Sequence, residues 1–486
     1  MQKPFRTVPL GVLSTFVLAY ALMHLSSCST PTIDNPIAVL GEPGRPGRDY
    51  LAAMAAGDRL GQDPKYRQAL RRIVVSPNYV IDARRAAYAR LREIDPQGLS
   101  DSLQLHLPKM EALEWRRELC ERIAADHWIE MTPTLIRAWA TPLGAWATLG
   151  KERPERLALA TLHGEDRIVD TLLEAMRTAN PITQSNLRAR CWELLLLEGQ
   201  EDRLRAILAD ESALGKDAML LDLRAGVVDL GVLPRNREEI LWLRSLRTPK
   251  NEAFWSAAKA AIAQIPAERR AAVELRDVPV AAAAARHQPA VFTMSDEAIE
   301  EQITVATGGT GRPIYSPDFE GFNRGLDGMF SERLAVVSKK LTWGDRAAML
   351  LLTEALRVPE VRAHLFAVAD RDLADTSTEY GGVLQLDARG RFDLVEYPSR
   401  SRANDKRYES PQALMDALYT SLFHVHFHAQ EYDNRRYAGP HMGDFQFADG
   451  TRANCVVLTF VNADHLNVDF YRYDRVVVDL GTIERQ

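Results

Sequence analysis

The sequence predicts a multidomain protein: an all-α, solenoid-like N-terminal domain followed by an α+β C-terminal domain. Three observations carry this reading. Residues 64–265 keep helical periodicity almost throughout, rich in Ala, Leu and Arg and sparse in Gly. After Asp375 the pattern changes to apolar/polar alternation of period 2. Between them, 276–291 (RDVPVAAAAARHQPAV) is an alanine run flanked by prolines. With 486 residues, 46% hydrophobic and 26% charged, the chain has globular composition and room for two or three domains. Its 60 Lys+Arg against 66 Asp+Glu give a net charge of -6, which argues against nucleic acid as a partner.

The N-terminus reads as a targeting segment. Lys3 and Arg6 precede the uncharged, mostly apolar stretch 8–25, so residues 1–27 are expected to be a signal peptide. Leu25-Ser26-Ser27-Cys28 resembles a bacterial lipobox. The resemblance implies cleavage before Cys28 and acylation of its thiol, palmitate being the expected kind of chain. The mature protein would then sit outside the cytoplasm, held on a membrane by lipid rather than by a spanning helix. Ser29, rather than Asp, after the cysteine favours the periplasmic face of an outer membrane over the inner membrane. A plain signal peptide or a short anchor helix is the alternative. Without residues 1–27 the chain carries 58 basic and 66 acidic residues, net -8. The remaining cysteines, Cys120, Cys191 and Cys455, are odd in number and show no CxxC spacing, so buried free thiols are expected.

Residues 28–62, with Pro31, Pro36, Pro43 and Pro46, read as a tether. Over 63–275, apolar residues recur at helical spacing between proline breaks, as in Trp115, Leu119 and Ile123. Glu165-Asp166-Arg167-Ile168 and Glu201-Asp202-Arg203-Leu204 lie 36 residues apart, each opening a helix. The region resembles degenerate HEAT repeats, which implies stacked helix pairs and a concave surface for a protein partner; a non-repetitive bundle is the alternative. Residues 276–330 read as linker or irregular chain. The TGGTGR run within them lacks the Gly-Lys-Ser/Thr ending of a phosphate-binding loop. Residues 331–486 form the α+β part. Helices are expected at 343–356, 359–369 and 411–421, the last with Ser410 as N-cap and Pro411 as first helical residue. Strands are expected at 379–386, 391–397, 422–428, 454–461, 465–473 and 475–480.

Four of the 11 histidines fall within 18 residues: His424, His426, His428 and His441. On a strand, 424, 426 and 428 share one face while Phe423, Val425 and Phe427 share the other. Imidazoles at i and i+2 are close enough to chelate one ion, and Asp444 follows after a loop. Two imidazoles and a carboxylate with an open position suit hydrolytic zinc.

The order Glu379 on a first strand, a second strand, a helix, a His-x-His strand and then an Asp a loop later resembles the JAMM (MPN-type) metalloprotease domain, over residues 340–486. That resemblance implies Zn2+ as cofactor, His426, His428 and Asp444 as metal ligands, and Glu379 as the general base and acid. It implies hydrolysis of an amide or isopeptide bond in a protein or peptide substrate. His424 paired with His426 is the alternative ligand pair. Three positions depart from the family: Ala429 stands where it has Pro, the loop to Asp444 is longer, and His441 stands where its oxyanion-stabilising Ser belongs. His441 is therefore expected to supply the missing donor, to add a ligand, or to mark a non-catalytic scaffold lipoprotein that uses the domain for binding. His424-Val425-His426 with Glu431 and Gly439 is also close to a cupin motif, but the helix at 411–421 breaks the strand run that a jelly roll needs.

Overall fold

The computed structural model describes residues 33–141, 150–308, 332–402 and 408–485. The signal segment, Cys28 and most of the glycine-rich TGGTGR region lie outside them. Among the described residues no helix is long and apolar enough to cross a membrane. The chain divides between Ala138 and Trp139 into two compact units.

The first unit is helical, with helices including Pro36–Gly41, Gly47–Gly57, Pro64–Val75, Ile81–Ile94, Pro96–His106 and Leu113–Ala125. The tether reading of 28–62 is corrected here, because two helices form within it and bury Leu40, Tyr50, Ala53 and Met54. The prolines start helices rather than prevent them. Pro36, Pro64 and Pro96 open their helices, where a missing N–H costs nothing, and the side chains of Asn35, Asp63 and Asp95 cap the first turns. Trp115, buried, donates its indole N–H to Val74 O at 2.8 Å and ties two of these helices together.

The second unit begins with further helices, among them Ile168–Thr178, Ser185–Leu197 and α1, Arg237–Leu246. The stretch expected as linker is helix over α2 (Asp277–His287) and α3 (Asp296–Thr307). Alanine is the best helix former, and a run of it is what a tightly packed helix needs. Val280, Ala281, Ala283 and Ala284 are buried. Then follow α4 (Trp343–Ala355) and α5 (Pro359–Ala374). Nearly every residue of α4 is buried, the charged Asp345 and Arg346 included.

The six expected strands form: β1 (Gly381–Leu386), β2 (Phe392–Glu396), β3 (Phe423–His428), β4 (Cys455–Asn462), β5 (His465–Arg472) and β6 (Val476–Glu484). They make one mixed sheet in the order β2-β1-β3-β4-β5-β6, parallel only between β3 and β4. α6 (Gln412–Leu418) lies between β2 and β3; it starts one residue late, with Pro411 as its N-cap. α7 (Met442–Thr451) fills the β3–β4 crossover. No helix is expected there from the sequence, because Gly443 and Gly450 dilute the pattern and His441 is an unusual N-cap.

The sheet has two unlike faces. One carries Phe423, Val425, Phe427, Val456, Leu458, Phe460, Val468 and Phe470, all buried. Phe366 of α5 packs on Phe460 with ring centroids 6.4 Å apart. On the other face the pairing aligns Gly381, His426, Val457, Asp469 and Asp479 in one row. The next row is Val383, His424, Cys455, Tyr471 and Val477. α7 covers this polar face through Phe445, 6.0 Å from Tyr471, and Phe447, 4.3 Å from His424.

Candidate metal centre

β3 is a central strand, buried at all six positions, so its histidines stand in the interior instead of on a solvated face. Their exposure is 4% for His424, 2% for His426 and 3% for His428. α7 brings Asp444 to them. Asp444 is the third residue of that helix, and its Oδ2 accepts the N–H of the N-cap His441 at 2.7 Å. The cap fixes the carboxylate over β3, where Oδ1 lies 3.2 Å from His426 Nε2 and Oδ2 lies 3.6 Å from His428 Nε2. One ligand atom from each of His426, His428 and Asp444 lies within 4.8 Å of the others.

The surroundings set the state of these groups. His428 Nδ1 lies 2.9 Å from the Tyr437 carbonyl oxygen, so Nδ1 carries the proton there and Nε2 presents its lone pair toward Asp444. Burial, reinforced by His441, pushes the His428 pKa down to about 3 despite Asp444. Burial also lowers His441. For Asp444 burial opposes ionisation, but His426, His428 and His441 outweigh it and hold the carboxyl below the ordinary range. A neutral His428 imidazole beside an ionised Asp444 carboxylate has the protonation states that a metal requires of such ligands.

Glu379 lies just before β1. The antiparallel register pairs Gly381 with His426, and Phe427 N–H donates to Tyr380 O at 3.2 Å. Tyr380 N–H turns instead to the Asp372 carboxylate, so the ladder ends there and Glu379 lies just beyond it. Glu379 is 7% exposed and accepts from Gln430 Nε2 at 3.2 Å. Gln430 is held in turn by Asn434, whose Nδ2 donates to Gln430 Oε1 at 2.8 Å and to His428 O at 3.0 Å.

His426, His428, Asp444 and His441 therefore gather in one place, and Glu379 is linked to the segment after His428 through Gln430 and Asn434. His441 stacks on His428 with centroids 4.5 Å apart. His424 does not join the ligand atoms. It packs between Phe447 and Tyr408, and neither of its nitrogens has a hydrogen-bond partner. Three contributors are not apparent from the sequence. Asp372, from the end of α5, accepts Tyr380 N–H at 2.9 Å and Ala429 N–H at 3.2 Å, capping both strands beside Glu379. Gln430 and Asn434 are polar loop residues like any others until the loop is folded. A Gln or Asn close behind a His-x-His strand is the only signal that could have marked them. A second buried acidic group, Glu332, Asp469 and Asp479, lies along the same sheet face. It has no imidazole, and Asn467 Nδ2 and Gly481 N–H donate to its two aspartates. No family model, curated protein or solved structure matches this chain.

Proposed function

We propose that this chain is a JAMM-type zinc-dependent hydrolase of amide or isopeptide bonds. The observation that carries the reading is the convergence of His426 Nε2, His428 Nε2 and the Asp444 carboxylate, with Glu379 held by Gln430 from the loop that follows His428. The donor set fits zinc: two imidazole nitrogens and one oxygen. His426 supports the fit further, since its buried Nε2 is aimed at the Asp444 carboxylate, 3.2 Å away. His426, His428 and Asp444 would hold the ion. When bound, zinc supplies Lewis acidity and acidifies a water molecule.

The chain's own residues do the rest. Glu379, oriented through Gln430, takes a proton from the attacking water as oxygen adds to the amide carbonyl carbon. It returns that proton to the amine nitrogen as the C–N bond breaks, so water is consumed and a carboxylate and an amine leave. His441, at the N-cap of α7, offers a ring N–H where the family has a serine hydroxyl. A lipid anchor on Cys28 would hold the protein at a membrane outside the cytoplasm, and the helices, read as HEAT-like, would present a protein substrate or bind a partner. The second reading is a non-catalytic binding lipoprotein with a structural metal. The observation favouring it is His441 itself, which leaves that position without a hydroxyl donor.

Glu379→Gln separates the two. Proton transfer by a positioned side chain contributes about 10²–10⁴-fold. The variant should lose cleavage by that factor while keeping bound zinc, read by new termini from a peptide library and by elemental analysis. An unchanged cleavage rate would remove Glu379 from the mechanism.

A further inference from the structure

We infer that Tyr471 is the outer partner of His426, its hydroxyl accepting the Nδ1–H of that ring and so committing Nε2 to the metal. The inference rests on the metal reading above and deepens it. Ligating histidines nearly always donate their second nitrogen to an acceptor, which fixes tautomer and orientation. His428 has such an acceptor in the Tyr437 carbonyl. His426 has none: it is 2% exposed and its Nδ1 is without a partner.

The matching orphan is on β5. Tyr471 is fully buried, and its hydroxyl also lacks a hydrogen-bond partner. Its ring meets His426 edge-on, with centroids 6.1 Å apart and planes at 85°. Buried polar groups left unpaired are expensive; an O···H–N bond gives Nδ1 its acceptor and leaves the hydroxyl hydrogen for the neighbouring Cys455 sulfur. The bond is required once Nε2 coordinates, because the ring proton then resides on Nδ1. Tyr471 is braced for the role. Phe445 of α7 packs against its ring at 6.0 Å, and its strand is paired on both sides. Burial, with the Cys455 thiol and the Asp444 and Glu379 charges nearby, keeps the hydroxyl protonated, its pKa well above the ordinary value. Cys455 Sγ beside it is too weak an acceptor and donor to replace the imidazole. His424 does not compete, because its ring is taken up by Phe447 and Tyr408.

The test is metal affinity of the full chain, by competition of Zn2+ and Co2+ against a chromophoric chelator. Tyr471→Phe keeps the ring and should bind about 10–100-fold more weakly, still at one ion per chain. Tyr471→Gln, which restores an acceptor, should recover part of the loss. Equal affinity of Tyr471→Phe and the unsubstituted chain would overturn the inference and leave the metal reading standing. An unsubstituted chain that binds neither ion would overturn both. Nuclear magnetic resonance of the zinc-loaded unsubstituted chain decides independently of any variant. A slowly exchanging His426 Nδ1–H supports the bond, and one exchanging as fast as a free imidazole contradicts it.

Discussion

At the scale of single residues, the three alternating histidines are chemically unlike one another despite their shared face. His428 is fixed by a carbonyl, His426 faces Asp444, and His424 is packed in aromatic rings with neither nitrogen bonded. Burial, followed by the effect of His426, pushes the His424 pKa down to about 3. An unfolded histidine titrates near 6.5, so between about 6.5 and 3 the unfolded chain binds a proton that the folded chain does not. Stability is therefore lost as pH falls through that window, by up to about 1.4 kcal/mol per pH unit for this one residue. His424→Phe should remove this slope and the cost of an unpaired buried polar group, stabilising the protein by about 1–2 kcal/mol at neutral pH. Urea unfolding at pH 7 and pH 5 measures both. The same variant should keep its metal; loss of metal would make His424 a ligand and revive the alternative pairing. Sequence parity could place the three rings on one face, but it could not rank them. The ranking comes from Asp444, Tyr437 and Phe447, which reach β3 only through the crossover.

At the scale of elements, the strands were legible from alternation in β3 and β5 and from β-branched apolar runs in β4 and β6, and the helices α4 and α5 from apolar residues recurring at helical spacing. α7 was not. Its ten residues include two glycines, and its cap is formed by Asp444 reaching back to the His441 backbone. The sequence thus places Asp444 after a loop without the helix that aims it. The end of β1 depends on a similar long-range device. Asp372 uses one carboxylate oxygen for Tyr380 N–H and the other for Ala429 N–H, so it fixes the segments bearing Glu379 and Gln430. Asp372→Asn must turn an NH2 group toward one of these two donors. It should cost about 1–3 kcal/mol of stability, the price of a buried donor left unpaired, and lower cleavage without lowering metal content. Loss of metal with stability unchanged would assign Asp372 to the centre itself.

At the scale of the whole chain, the sequence placed a boundary at 276–330, whereas its described residues, 276–308, are mostly helix within the second unit. Arg276, fully buried, donates to Glu274 at 2.7 Å, to Asp345 at 2.6 Å and to Asn454 at 2.7 Å. Arg472 of β5 reaches the same Asp345 at 2.9 Å, and Arg452 joins Glu239 of α1 to Glu274. The network ties α1, α4 and β5 to the residues that immediately precede α2 and β4, across sequence separations as long as 213 residues. Nothing in local composition signals such pairs; an alanine run beside prolines looks like a linker because its charged neighbours have partners so far away. Breaking a buried ion pair by removing one partner typically costs about 3–5 kcal/mol. Arg276→Met should destabilise the protein by that amount in urea, with the metal centre lost only on unfolding. A change under 1 kcal/mol would show that the network is dispensable to the fold.

The central claim is that His426, His428 and Asp444 bind one divalent ion. Native mass spectrometry of the full chain after exposure to Zn2+ tests it most directly. One zinc per chain should be retained, and His428→Ala or Asp444→Ala should abolish it while His424→Phe does not. A chain that stays metal-free under saturating Zn2+, or variants that hold zinc as well as the unsubstituted protein, would contradict it.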